Sequence, residues 1–285
     1  MISYILYRIA QAISKSFPLK KAYAIAVFLA DLRFHTAFMD RRNVFGNLKV
    51  IFPDKTVKEI NEISVQIFRN FAKYLVDFFR LDELDLDYIN KNVKLTNLHY
   101  IKDSLLEGKG VILVSAHLGN WELGGVVIST LGYPLVTVAL KHKSGKVNEF
   151  FFKQREQKGV RVLPLGNAAK GCLKVLKNNE LLALVGDRNF MGKGIVLDFF
   201  GKPTVLPLGP AFLSLQTQAR IIPGFLLRKP DDTFELVFVK PLEYNLCGDK
   251  KKDLKEIANK YKTVIEDYIR RFPEQWFMFR KFWVD

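Results

Sequence analysis

Cysteine is almost missing from this 285-residue sequence, which has only Cys172 and Cys247. Neither lies in a CxxC pair or at a metal-ligand spacing, so there is no disulfide framework and no structural zinc site, and a reducing compartment fits. Long apolar runs are missing too. The opening MISYILYRIAQAISKSFPLKKAYAIAVFLADLRF is broken by Arg8, Lys15, Lys20 and Lys21 before the roughly 20 apolar residues of a membrane span accumulate. It has no single apolar region leading to a small-residue cleavage site, so it matches a signal peptide poorly. Internal repeats, low-complexity tracts and long flexible linkers are not found either.

Acidic residues are the minority charge: 44 Lys and Arg face 29 Asp and Glu, for a net charge of +15. Such an excess points to a polyanionic partner, whether nucleic acid, an anionic bilayer or an acidic protein. The excess is concentrated between residues 141 and 177. There Lys141, Lys143, Lys146, Lys153, Arg155, Lys158, Arg161, Lys170, Lys174 and Lys177 are offset only by Glu149 and Glu156. A solvated basic face or a docking surface would give the same pattern. The 24 Phe residues fit a core and would equally suit an apolar ligand groove.

Residues 1–34 mix apolar faces with basic edges, the pattern of helices lying in a membrane interface, although helices packed on the domain would read alike. This segment is set apart from the main domain, residues 35–285. Thr56 and Glu59 form a capping box, and Ile60, Ile63, Ile67, Phe68, Phe71, Leu75, Phe78 and Phe79 keep helical spacing behind it, predicting a helix over 57–79. The acidic stretch 82–87 reads as a connector. Short β-branched or Leu-rich runs then appear at 111–115, 135–139, 160–163, 181–185, 221–227 and 234–239, alternating with helical stretches at 147–158, 168–177 and 209–219. That alternation predicts an α/β fold, a mixed and largely parallel sheet flanked by helices, behind membrane-associated N-terminal helices. Asp253 and Glu256 read as a second capping box opening the last helix, which Pro273 ends.

The chemistry concentrates in the run from Val111 to Gly125, where a strand ends at His117 and Glu122 follows five residues on. Open α/β sheets place reactive groups at the carboxyl edge of the strands. Gly119 permits a tight turn there, and Asn120 is a candidate N-cap for a helix starting at Trp121. Such a junction folds Glu122 back toward His117, giving a general base and the carboxylate that orients it. The bare spacing fits a structural pair as well.

HLGNWE at 117–122 is not alone. Arg41-Arg42 with Asn47-Leu48 and Phe52-Pro53, Asn148 followed by Arg155 and Gly159, Gly186-Asp187-Arg188-Asn189, Phe199-Phe200-Gly201-Lys202-Pro203, and the closing Pro273-Glu-Gln-Trp276 with Arg280 stand in order along the chain. Together these blocks resemble the bacterial lipid A biosynthesis acyltransferases, lauroyl and myristoyl transferases within the lysophospholipid acyltransferase superfamily, over nearly the whole length. The FPEGT phosphate-binding motif of the glycerolipid branches is missing; Phe272-Pro-Glu-Gln-Trp lacks its glycine.

The resemblance implies an acyltransferase with catalytic His117 and Glu122, supported by Asn120, Arg155, Asp187 and Arg188, and using no metal or cofactor. By the same resemblance, acyl carrier protein is the donor and the acceptor is a membrane glycolipid, a lipid A precursor in lipopolysaccharide biosynthesis. The place of action is the cytoplasmic face of the inner membrane. Another glycolipid or a lysophospholipid is the alternative acceptor. A basic nucleic-acid-binding protein is the remote alternative, and no nucleic-acid signature supports it.

Overall fold

The computed structural model describes residues 2–140, 144–166, 168–189, 192 and 194–283, so Lys141 and Lys143 of the basic stretch lie outside the described residues. Four helices come first: α1 (Ile2–Ser16), α2 (Leu19–Thr36), α3 (Phe38–Ile51) and α4 (Val57–Phe79). The expected capping box starts α4, with the Thr56 hydroxyl accepting from the Glu59 N–H and the Glu59 carboxylate accepting from the Thr56 N–H at 2.9 Å. A short 3-10 turn (Leu81–Glu83) follows in the acidic connector. The remaining helices are α5 (Leu86–Asn92), α6 (His99–Leu106), α7 (Trp121–Thr130), α8 (Gly145–Glu156), α9 (Ala168–Lys177), α10 (Gly209–Thr217) and α11 (Lys250–Arg271).

The strands are β1 (Val93–Thr96), β2 (Val111–Ser115), β3 (Leu135–Ala139), β4 (Arg161–Pro164), β5 (Leu181–Val185), β6 (Ile195–Phe199), β7 (Lys202–Leu206), β8 (Arg220–Arg228) and β9 (Phe234–Phe238). Seven form one sheet in the order β1-β9-β8-β2-β5-β3-β4, parallel except for the antiparallel β8–β9 pair. The mixed, largely parallel sheet is therefore present as expected. Helices cover both faces, which is why β2 and β5 read as unbroken apolar runs rather than alternating ones. Along β2, Ile112 and Val114 join a cluster with Leu254, Ile257 and Tyr261 of α11, whereas Val111 and Leu113 join one with Phe78 of α4 and Leu123 and Val126 of α7.

Two features depart from expectation. The last helix starts at Lys250 under an Asp249 cap, because the Asp253 carboxylate turns back to accept from the Cys247 and Gly248 N–H groups at 2.7 and 3.1 Å. The Phe-Phe-Gly-Lys-Pro block closes a two-stranded β6–β7 hairpin apart from the main sheet. The division at residue 34 falls inside α2, whose Tyr23 is buried against α4.

Among the described residues no single helix is long and apolar enough to cross a membrane; α2 and α3, bent by 90° at their junction, pass by length and composition only as a pair. Along α1, the α1–α2 link, α2 and the start of α3, Ile5, Leu6, Ile9, Ile13, Phe17, Phe28, Leu29, Leu32, Phe38 and Met39 are all exposed. An apolar groove of about 580 Å³ lies between α1, α2 and α4. Among the described residues its charged lining residues, Arg33 and Asp40, are paired with each other at 2.8 Å.

Candidate active site

β2 and β5 are hydrogen-bonded neighbours in parallel register, with Ser115 opposite Val185. Two residues further along each chain, past the carboxyl ends of both strands, the register brings His117 level with Asp187. Their contact follows directly: His117 Nδ1 lies 2.7 Å from Asp187 Oδ1, and the His117 backbone N–H donates to Asp187 Oδ2 at 3.1 Å. The Trp276 indole N–H donates to the same oxygen at 3.0 Å. The Asp187 side chain is fully buried. Burial alone would raise its pKa, but the His117, Arg188 and Trp276 partners outweigh it and bring the carboxyl down to about 2. An ionised carboxylate only accepts, so Nδ1 carries a proton and Nε2 is the basic nitrogen of the neutral ring.

The expected His117–Glu122 pairing is therefore corrected, since Asp187 orients the ring. Glu122 starts α7 as anticipated, but both its carboxylate oxygens are taken by Arg155 of α8, at 2.7 Å from Nε and 2.5 Å from Nη2. Burial of Arg155 is outweighed by Glu122, which keeps the guanidinium charged. This two-pronged pair ties α7 to α8 and forms part of the cavity wall. The offset of five residues on a strand–turn–helix junction does turn Glu122 toward the site, yet its nearest opposite charge comes from the neighbouring helix.

Asn120 caps α7, its Oδ1 accepting from the Leu123 N–H at 3.1 Å, while its Nδ2 donates to buried Asp77 of α4 at 2.7 Å. Asp77 also accepts from Tyr23 of α2 and from Arg228 of β8, so four elements meet under the His117 loop. Gly119 makes that loop possible. Its φ is +63°, and a Cβ there would lie 2.1 Å from the Leu226 carbonyl oxygen. The closing segment clamps the other side, with the Gly119 N–H donating to Gln275 O and the Phe277 N–H to His117 O, each at 2.9 Å. Arg188 donates to Phe277 O.

His117, Glu122, Arg155 and Arg188 line one cavity of about 440 Å³ at the carboxyl edge of the sheet. Its other walls are mostly apolar, built by Leu135, Val138, Leu140, Val160, Leu165, Leu184, Pro207 and Leu208. Trp121 meets the His117 ring edge-on at 4.9 Å. Of the six residues singled out from the sequence, four line this cavity, Asp187 reaches it through His117, and Asn120 lies below the loop. Asp77, Arg228 and the positioning role of Trp276 were not foreseen. Trp276 lies in a recognisable block, but nothing local in the sequence marks Asp77 or Arg228 as buried partners.

A base held by a buried carboxylate at the mouth of an apolar cavity suits transfer of an apolar acyl group to a hydroxyl. Comparison with known proteins points to the same broad class of reaction, acyl transfer. The family described as "Bacterial lipid A biosynthesis acyltransferase" matches residues 1–284. A phosphatidylinositol mannoside acyltransferase of Mycolicibacterium smegmatis is 27% identical over 75% of this chain and 70% of its own length. Its Mycobacterium tuberculosis counterpart is 29% identical over 54% of this chain, and the match spans only 51% of that protein. The lipid A biosynthesis palmitoleoyltransferase of Escherichia coli is 24% identical over 84% of this chain and 78% of its own length.

Proposed function

The chain belongs to the bacterial lipid A biosynthesis acyltransferase family, and from that premise we propose that it moves a fatty acyl chain from an acyl carrier protein thioester to a hydroxyl of a lipid A precursor. The observation carrying this reading is the His117–Asp187 pair at the mouth of the apolar cavity. His117 Nε2 takes the acceptor hydroxyl proton as its oxygen bonds to the thioester carbonyl carbon. Asp187 stabilises the imidazolium that forms. Collapse of the tetrahedral intermediate breaks the carbon–sulfur bond, and the leaving thiolate takes the proton back from His117. The products are an O-acylated lipid and a free carrier thiol, and no covalent acyl-enzyme is required. Glu122 and Arg155 act as positioning residues that hold α7 and α8 around the acyl chain.

A second acceptor, a mannosylated phosphoinositide, is favoured by the names of the mycobacterial relatives. The donor dock is the β4 edge of the sheet, where exposed Lys146 and Lys153 of α8, Arg161 of β4 and Lys170, Lys174 and Lys177 of α9 gather; complementary charge would steer an acidic carrier there. The exposed apolar faces of α1 and α2, edged by exposed Arg8, Lys20 and Lys21, would lie in the cytoplasmic face of the inner membrane. Labelled acyl carrier protein mixed with the purified chain and the producing organism's lipid extract tests the whole reading. Label should move to a glycolipid, whose hydrolysis identifies the acceptor; label retained on the carrier or released as free acid would count against transfer.

A further inference from the structure

A second cavity, about 410 Å³, is lined by Asp187 and Arg188 but not by His117, and the reaction above leaves it unused. Among the described residues three cations line it: Arg188 from the loop after β5, and Arg280 and Lys281 from the closing segment. Arg188 is half-buried, while Arg280 and Lys281 are exposed. The negative charge in the lining, Asp187, is already committed to His117 and Trp276. Arg188 Nε is buried with no hydrogen-bond partner among the described residues. A buried donor of this kind requires an explanation, because leaving it unmade costs the desolvation of a charged group. Burial and the nearby Arg280 charge both pull the Arg188 pKa below its ordinary value, with Asp187 opposing them.

We propose that this cavity is a phosphate-binding subsite, in which Arg188, Arg280 and Lys281 hold a headgroup phosphate of the lipid acceptor. Cations approaching from two separate segments suit a tetrahedral oxyanion with several acceptor oxygens, and a guanidinium fork is the side chain best matched to it. Arg188 also lines the catalytic cavity, so a phosphate held by it lies close to His117. That proximity selects the acceptor over the donor, since a carrier's phosphate sits at the opposite end of its pantetheine arm from the thioester. The proposal rests on the glycolipid-acceptor reading for its ligand, and it gives a site for headgroup phosphate in a chain without the glycerolipid motif.

The test uses the full chain and the exposed pair, Arg280→Ala/Lys281→Ala. With the donor fixed, kcat/KM is measured for a phosphorylated glycolipid acceptor and for the same lipid after phosphatase treatment. The wild-type preference for the phosphorylated form should fall at least about tenfold in the double variant. Equal losses on both acceptors would overturn the proposal, as would a raised donor KM with the preference intact. A readout without turnover separates this from the acyl-transfer reading: inorganic phosphate, against chloride at equal ionic strength, should raise the melting temperature of the wild type more than that of the double variant. If no acceptor is acylated but this difference is seen, the anion site stands and the transfer reading falls. The same shift in both proteins would remove the site.

Discussion

Arg228 is the residue whose loss should be felt furthest from where it sits. Its side chain is 7% exposed and pairs with Asp77, itself 3% exposed, while Asp77 also holds Asn120 at the start of α7 and Tyr23 on α2. Arg228→Ala leaves the Asp77 carboxylate buried without its cation. Removing one partner of a buried pair costs on the order of 3–5 kcal/mol. For a chain of this size that corresponds to a melting temperature lower by roughly 6–20 °C.

The sign of the pH dependence follows from the lone carboxyl, which in the variant would have a folded pKa above its unfolded one. Its penalty is smallest below the unfolded value, grows as pH rises, and is complete above the folded pKa. The stability deficit measured by urea unfolding should therefore be smaller at pH 5 than at pH 8. Asp77→Asn added to Arg228→Ala should recover part of the deficit, because it removes the unpaired charge while keeping hydrogen bonds to Asn120 and Tyr23. A single variant melting within about 2 °C of wild type, with no pH dependence, would refute the view that this pair anchors the His117 loop.

Asp187→Asn should lower kcat by roughly 10²–10⁴-fold with the fold retained, since a neutral amide stabilises the imidazolium poorly. Folding lowers the Asp187 pKa from 3.8 to about 2, so its contribution, on the order of 2 kcal/mol, is present above pH 4 and lost as pH falls through about 2; urea unfolding should show the variant's deficit closing over that window. Burial pushes the Cys172 thiol up to about 11, so it is no thiolate nucleophile at neutral pH, and a Cys172→Ala/Cys247→Ala variant should keep most of its activity; acyl label trapped on either cysteine would contradict this. Leu6→Glu/Leu29→Glu, placed on the exposed faces of α1 and α2, should weaken sedimentation with anionic liposomes severalfold while leaving the melting temperature within a few degrees; unchanged sedimentation would put the membrane contact elsewhere.

The central strands β2, β3 and β5 were legible to the residue because helices cover both faces and turn residues bound their apolar runs, Gly110 before β2, Pro134 before β3 and Gly186 after β5. β1 escaped notice because four residues, Val93-Lys-Leu-Thr96, carry too little periodicity. The β6–β7 hairpin was hidden by Pro203 inside a strand that sits outside the main sheet, where a missing N–H is tolerated.

At the site, His117, Asn120 and the helix after it were readable from local turn chemistry. Which carboxylate holds the imidazole was not, because that depends on the register of β2 against β5, some 70 positions away in the chain. A local pattern favours the neighbour in sequence, Glu122, whereas the sheet supplies the neighbour in space. Trp276 and Gln275 belong to the same class of non-local partners, brought to the His117 loop by the closing segment after α11.

The most direct measurement is single-turnover acyl transfer by His117→Ala, made at matched concentrations of folded protein, with the circular dichroism spectrum and melting temperature as controls. The expected result is a loss of at least about a thousandfold in the rate constant with the fold intact. Near-wild-type transfer by a folded His117→Ala protein would contradict His117 as the base.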